Sequence, residues 1–150
     1  MSAITSSLGI AKTSTIDRTD TQAWGIAFIR AIVGIVFLLH GGQKLFVFGV
    51  HNVAGMMGSL GIPLPSVAAA VVTWVEFLGG AALLLGVFTR LAALLLAVDM
   101  LVAVLKVHLK GGFFLPMGFE YALTLLVTNL ALAIAGPGAA AVQKLFSKRA

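Results

Sequence analysis

Four long apolar stretches, separated by short polar or glycine-rich breaks, organise the chain. The first runs from about Ala23 to Leu39 and is interrupted only by Arg30; the second covers about Val67 to Val87 and holds Glu76. The third runs from about Leu91 to Val107 around Asp99, and the fourth from about Phe119 to Ala135. Each approaches the roughly 20 residues that a helix needs to cross a ~30 Å hydrocarbon core. The breaks carry helix-stopping chemistry: Gly61-Ile62-Pro63-Leu64-Pro65, the tight turn Gly86 to Arg90, Lys110-Gly111-Gly112 to Gly118 with Pro116, and Gly136-Pro137-Gly138. Within the segment Gly41 to Ser66, the piece Leu45 to Val50 is apolar but too short to span, and reads as interfacial or re-entrant.

These elements predict an all-α, integral-membrane four-helix bundle of up-down topology. The expected organisation is a flexible polar tail over residues 1–22 and a transmembrane domain over 23–138, with spans at about 23–40, 67–87, 90–108 and 119–135. A short basic tail closes it over 139–150. The polar start does not read as a cleavable leader, because the apolar run after it ends in His40-Gly41-Gly42-Gln43 without a small-x-small site.

Composition supports lipid as the solvent. Sixty per cent of the 150 residues are hydrophobic, only 10% are charged, and the mean hydropathy is +1.09, too little charge to cover a soluble domain of this size. The net charge of +5 is spread beside the apolar segments, where it sets topology rather than forming a nucleic-acid footprint. Lys12, Arg18, Arg90, Lys144, Lys148 and Arg149 fall on one side, and Lys44, Lys106 and Lys110 on the other. That bias places both termini in the cytoplasm, in a multi-pass protein of a bacterial or archaeal cytoplasmic membrane. The absence of cysteine excludes disulfide exchange, iron–sulfur clusters and thiolate metal sites within this chain. No phosphate loop, zinc motif or serine nucleophile arrangement is present.

Ionisable groups at membrane depth are costly and usually face protein or a water-filled cavity. Helical spacing puts Arg30, Gly34, Phe37 and Gly41 on one face of the first helix, and Ala69, Thr73, Glu76 and Gly80 on one face of the second. Ala92, Asp99, Ala103 and Lys106 share a face of the third. Small residues let helices approach closely, so these stripes should face neighbouring helices. A buried cluster of Arg30, Glu76 and Asp99 is expected, with Asn129 of the fourth helix at comparable depth. It either specifies helix packing or handles a proton or ligand; two carboxyls against one arginine suit proton exchange.

A second polar group lies towards the opposite membrane face: His40, Gln43, Lys44, His108 and Glu120. It suits a quinone headgroup or another polar ligand beside apolar walls, or simple interfacial anchoring. Haem ligation by His40 and His108 is disfavoured. His108 lies nine residues beyond Asp99, hence on the other side of a regular helix, and both face the core only if that helix is distorted.

At these residues the chain resembles the DoxX family of small bacterial and archaeal membrane proteins. The matching pieces are Arg30, His40-Gly41-Gly42-Gln43-Lys44-Leu45, Gly61-Ile62-Pro63 and Glu76-Phe77-Leu78-Gly79-Gly80. They continue with Gly86-Val87-Phe88-Thr89-Arg90, Gly118-Phe119-Glu120-Tyr121 and Gly136-Pro137-Gly138, over about Trp24 to Lys144. The longer polar start and Phe119, where the family often has tyrosine, depart from the pattern. The resemblance implies association with quinol-oxidase, thiol-redox or oxidative-stress systems and singles out Arg30, Lys44, Glu76, Arg90 and Glu120, without a catalytic role for any of them. The leading expectation is an accessory or quinone-contacting subunit of a membrane redox system, with a redox-complex partner or a second copy of the chain as candidate partners. A small transporter using the Arg30, Glu76 and Asp99 cluster, or a purely structural partner, are the alternatives.

Overall fold

The computed structural model describes residues 18–143, all of whose regular elements are helical. Helix α1 spans Arg18–Gln43 and continues without a break into a π-helical stretch, Lys44–Phe48. The helix thus begins inside the segment expected to be a flexible tail. The apolar piece Leu45 to Val50, expected to be interfacial or re-entrant, is divided: it forms the far end of this helix through Phe48, and Val50 opens the next one. Gly49, at φ +77°, takes a conformation that side-chain-bearing residues rarely adopt, and turns the chain into a ten-residue helix, α2 (Val50–Ser59). The hydrophobic pattern did not predict α2. It is held by Val53, Ala54 and Met57, which recur at helical spacing and bury themselves against Ala69.

Helix α3 spans Pro65–Leu85, with proline in its first turn, where a missing N–H costs nothing. It stops at Gly86, left-handed at φ +70°, whose N–H reaches the Leu83 carbonyl while that of Val87 reaches Ala82. Helix α4 spans Thr89–Val102 and runs on through a π-helical stretch, Ala103–His108, and a final tight turn, Leu109–Gly111. Helix α5 is Glu120–Ala135. Three continuous helices are long and apolar enough to cross a membrane: Thr19–Phe48, Pro65–Leu85 and Thr89–Gly111; α5, at 16 residues, is shorter.

Helices α1 and α2 both pack on α3, α3 on α4, and α4 on α5, which returns to touch α1. The first two stripes read from the sequence are buried along their whole length: Arg30, Gly34, Phe37 and Gly41 on α1, and Ala69, Thr73, Glu76 and Gly80 on α3. Glycine is needed at this seam. A β-carbon on Gly80 would lie 2.8 Å from the Gly34 carbonyl oxygen and 2.9 Å from the Leu38 α-carbon, both backbone positions that cannot swing aside. Gly80→Val should therefore force α1 away from α3 and lower stability by about 1–3 kcal/mol or more, read as a drop in the detergent-solubilised thermal midpoint. Large side chains such as Phe28, Ile32, Val71 and Leu78 point outward, as helices solvated by lipid require.

The third stripe is only partly as expected. Ala92 is buried and Asp99 and Ala103 half-buried, but Lys106 is exposed. The π-helical stretch that begins at Ala103 takes an extra residue per turn, so positions beyond it leave the face that regular spacing assigns them.

After α5 the chain crosses the end of the helix packing. Ala139 donates to the Ala23 carbonyl of α1, and Val142 and Gln143 to the carbonyls of Leu85 and Gly86 after α3. The start of α1, the end of α3 and the segment 136–143 therefore meet at one end of the molecule.

Candidate functional site

Arg30 belongs to that end, not to an Arg30, Glu76 and Asp99 cluster. Only 2% exposed, its guanidinium donates to four backbone carbonyls. Nη1 reaches Leu83 at 2.5 Å and Leu84 at 3.3 Å, and Nη2 reaches Ala139 at 3.3 Å and Ala140 at 3.1 Å. The last carbonyls of a helix lack intrahelical partners and carry the negative end of its dipole, so a planar fork of donors there needs no carboxylate. Glu76 lies seven residues earlier on α3, roughly 10 Å away along the axis.

The residue that meets Glu76 is Lys44. Its ammonium forms an ion pair with Glu76 Oε2, with the two side chains 18% and 5% exposed. Lys44 is the first residue of the π-helical end of α1, and its long stem carries the charge back to the α1–α3 seam. Asp99 of α4 sits beside the pair, close enough to Glu76 for the two carboxyls to interact directly. Asp99 Oδ2 is buried without a hydrogen-bond partner among the described residues.

Lys44, Glu76 and Asp99 open onto one cavity of about 200 Å³. His40, His108 and Tyr121 also line it, and the remaining wall is apolar, including Val36, Phe37, Val72 and Val107. Met56 and Met57 of α2 and Met100 of α4 complete the lining. The two polar groups that the sequence kept apart thus contribute to one site.

The distortion of α4 explains how. Regular spacing opposes His108 to Asp99; the π-helical stretch between them brings both to the same cavity. His40 Nδ1 donates to the Val36 carbonyl at 2.9 Å, and His108 Nδ1 lies 3.4 Å from the Met117 carbonyl. A carbonyl only accepts, so in these contacts Nδ1 is the donor.

Besides Arg30, three expected residues stay out of the cavity. Glu120 accepts from the Leu115 N–H at 2.8 Å and closes the α4–α5 loop. Gln43 is exposed and faces a separate outer groove lined by Phe46 and Phe77. Asn129 is fully buried on α5, donates to the Leu125 carbonyl, and does not line the cavity. The methionines of α2 and Tyr121 were missed. The spacing of Val53 and Met57, four residues apart and followed by Ile62, was the available signal for a small amphipathic cover.

Among the described residues no group of three or more histidine, aspartate or glutamate side chains is arranged to hold a metal ion. What the site offers is an apolar-walled pocket bordered by Lys44, Glu76, Asp99, His40, His108 and Tyr121.

A family model described as DoxX matches residues 25–109, more than half of the chain. The chain belongs to the DoxX family. The matched region carries Lys44, Glu76, Asp99 and both cavity histidines. An uncharacterized protein of Haemophilus influenzae is 36% identical over 128 residues, covering 83% of this chain and 92% of its own. A Bacillus subtilis protein named "Putative oxidoreductase CatD" is 35% identical over 112 residues, 75% of this chain and 79% of its own. An uncharacterized membrane protein of Mycobacterium tuberculosis, Rv3486, is 35% identical over 133 residues, 81% of each chain. No solved structure matches. Family, relatives and apolar helices together make this DoxX protein a membrane protein.

Proposed function

We propose that this DoxX protein is an accessory subunit of a membrane redox system that holds the headgroup of a quinone or quinol in the cavity between α1, α2, α3 and α4. The observation that carries the reading is the meeting of the Lys44–Glu76 ion pair, Asp99, His40 and His108 on one apolar-walled cavity. A quinone ring is flat and largely apolar, with two oxygens needing donors when oxidised and carrying donors when reduced. Lys44 supplies a donor, carboxyls supply acceptors, and the imidazoles can serve as either. Two carboxyls against one ammonium give the cavity a place to take up and release a proton, which quinone reduction and quinol oxidation both require. The name of the Bacillus subtilis relative, an oxidoreductase, supports the redox part.

In this reading α1, α3, α4 and the shorter α5 cross the bacterial cytoplasmic membrane as an up-down bundle, with residues 18–23 and the segment after α5 on the cytoplasmic side. Arg90 in the first turn of α4 agrees with that orientation; Lys12, Lys144, Lys148 and Arg149 lie outside the described residues. A redox-complex protein is the proposed partner, with a second copy of the chain as the other arrangement.

The test is purification from native membranes in mild detergent, followed by solvent extraction and quantification of bound quinone. About one quinone per chain is expected, falling at least about tenfold in Lys44→Met, which loses a charged hydrogen bond. No extractable quinone, together with no saturable binding of added quinone, would remove the reading.

A further inference from the structure

The cavity is too small for a long-tailed molecule. An engineered apolar cavity of about 150 Å³ accommodates benzene, so about 200 Å³ takes one substituted ring and no extended chain. Any lipid-soluble ligand whose ring enters must leave its tail outside, and the structure offers two outer grooves for it.

One, lined by Leu38, Leu39, Gln43, Phe46 and Phe77, shares His40 with the cavity. It is cut off from the interior by the α1–α3 seam. A β-carbon on Gly41 would run into the Phe77 backbone, with the Phe77 α-carbon 2.7 Å away, so the two helices are in van der Waals contact there. The other, of about 410 Å³, lies between the π-helical end of α1 and α2 and shares both Lys44 and Met56 with the cavity. Its remaining lining is Val47, Phe48, Val53 and Asn52. Asn52 is already committed, donating to the Phe48 carbonyl at 2.8 Å. Lys44 turns its ammonium inward to Glu76 and so leaves its methylene stem to this groove. Phe48 and Val47 are exposed at the groove's outer edge, open to lipid.

We infer that the groove formed by Lys44, Val47, Phe48, Asn52, Val53 and Met56 receives the hydrocarbon tail of a lipid-soluble ligand whose ring occupies the cavity. The inference rests on the quinone reading above and narrows it to tailed, membrane-resident quinones rather than small water-soluble aromatics. Lys44 and Met56 form the threshold between ring and tail.

The experiment uses the full chain in lipid nanodiscs and two probes, a dimethoxymethylbenzoquinone without a side chain and its decyl derivative. Each probe is compared between proteins, so its partitioning into lipid cancels. Asn52→Trp and Val47→Trp fill the groove from exposed positions that packing does not depend on, and Leu39→Trp does the same in the outer groove at His40. The groove variants should weaken the decyl probe at least about tenfold, because a tail whose exit is sterically blocked keeps its ring out of the cavity, and leave the tail-less probe within about twofold. Leu39→Trp should affect neither. Equal effects on the two probes, no effect on either, or loss of the decyl probe in Leu39→Trp alone would overturn the tail site while leaving the headgroup reading intact. Absence of saturable binding for both probes in the unmodified protein would overturn both.

Discussion

Lys44→Met is expected to destabilise the protein by about 3–5 kcal/mol, because removing one partner of a buried ion pair leaves the other uncompensated. The two directions of breaking the pair should differ. Glu76, the less exposed partner at 5%, is left deep in the α1–α3 seam when Lys44 is lost. Lys44, at 18%, sits at the end of a flexible stem and can turn its ammonium to the cavity mouth when Glu76 is lost, so Glu76→Leu should cost less. The double substitution Lys44→Met with Glu76→Leu should come close to the unmodified protein, since an apolar pair of similar volume often replaces a buried ion pair at little or no cost. A double-mutant cycle in detergent, read by denaturant unfolding of the helices, checks all three. Equal losses in both single variants, with no recovery in the double, would show that the pair is not an isolated coupled unit.

The second large effect belongs to Arg30. Arg30→Leu removes donors from four carbonyls on two segments. Hydrogen bonds to charged groups contribute about 1.5–3 kcal/mol each. Solvation of the freed groups at the helix end offsets part of that, and a loss on the order of 3 kcal/mol is expected. The more specific consequence is local. Segment 136–143 is tied to the rest of the chain by Arg30 and by the bonds of Ala139, Val142 and Gln143, so amide exchange over these residues should rise by at least about tenfold. Arg30→Lys should restore little of it, because a single ammonium cannot reach the Leu83 and Ala139 carbonyls as a rigid fork does. Exchange confined to the helix cores, with the terminal segment unchanged, would contradict the role assigned to Arg30.

Much of the architecture could be read from the chain. The stripes containing Gly34 and Gly41 on α1 and Thr73 and Gly80 on α3 follow a helical period, and small residues repeated along one helix face mark a close helix contact, so both were recognisable. Composition and the lone ions identified lipid as the solvent. The grouping of polar residues was harder to obtain. Pairing Arg30 with Glu76 follows charge complementarity, but nothing in a sequence marks that the orphaned carbonyls of a helix end will compete for the same guanidinium. His108 was set against Asp99 by ideal spacing, and no residue pattern announces the π-helical stretch that cancels the opposition. Lys44 and Glu76 were both singled out, yet assigned to different ends, because a stem able to carry a charge over several ångströms blurs any depth measured at the backbone. Helix α2 escaped notice for a related reason: its buried apolar face is only Val53, Ala54 and Met57, and only contact with Ala69 makes that face consequential.

The unequal lengths of the outermost helices bear on the surrounding lipid. Thr19–Phe48 extends about 45 Å and Glu120–Ala135 about 24 Å at 1.5 Å per residue, so no single bilayer thickness fits both. In the proposed four-span arrangement, acyl chains beside α5 would have to thin or let the protein lean, while those beside α1 would meet a helix that overshoots them. That arrangement would make the lipid annulus lopsided and the chain's tilt a property that membrane composition can set.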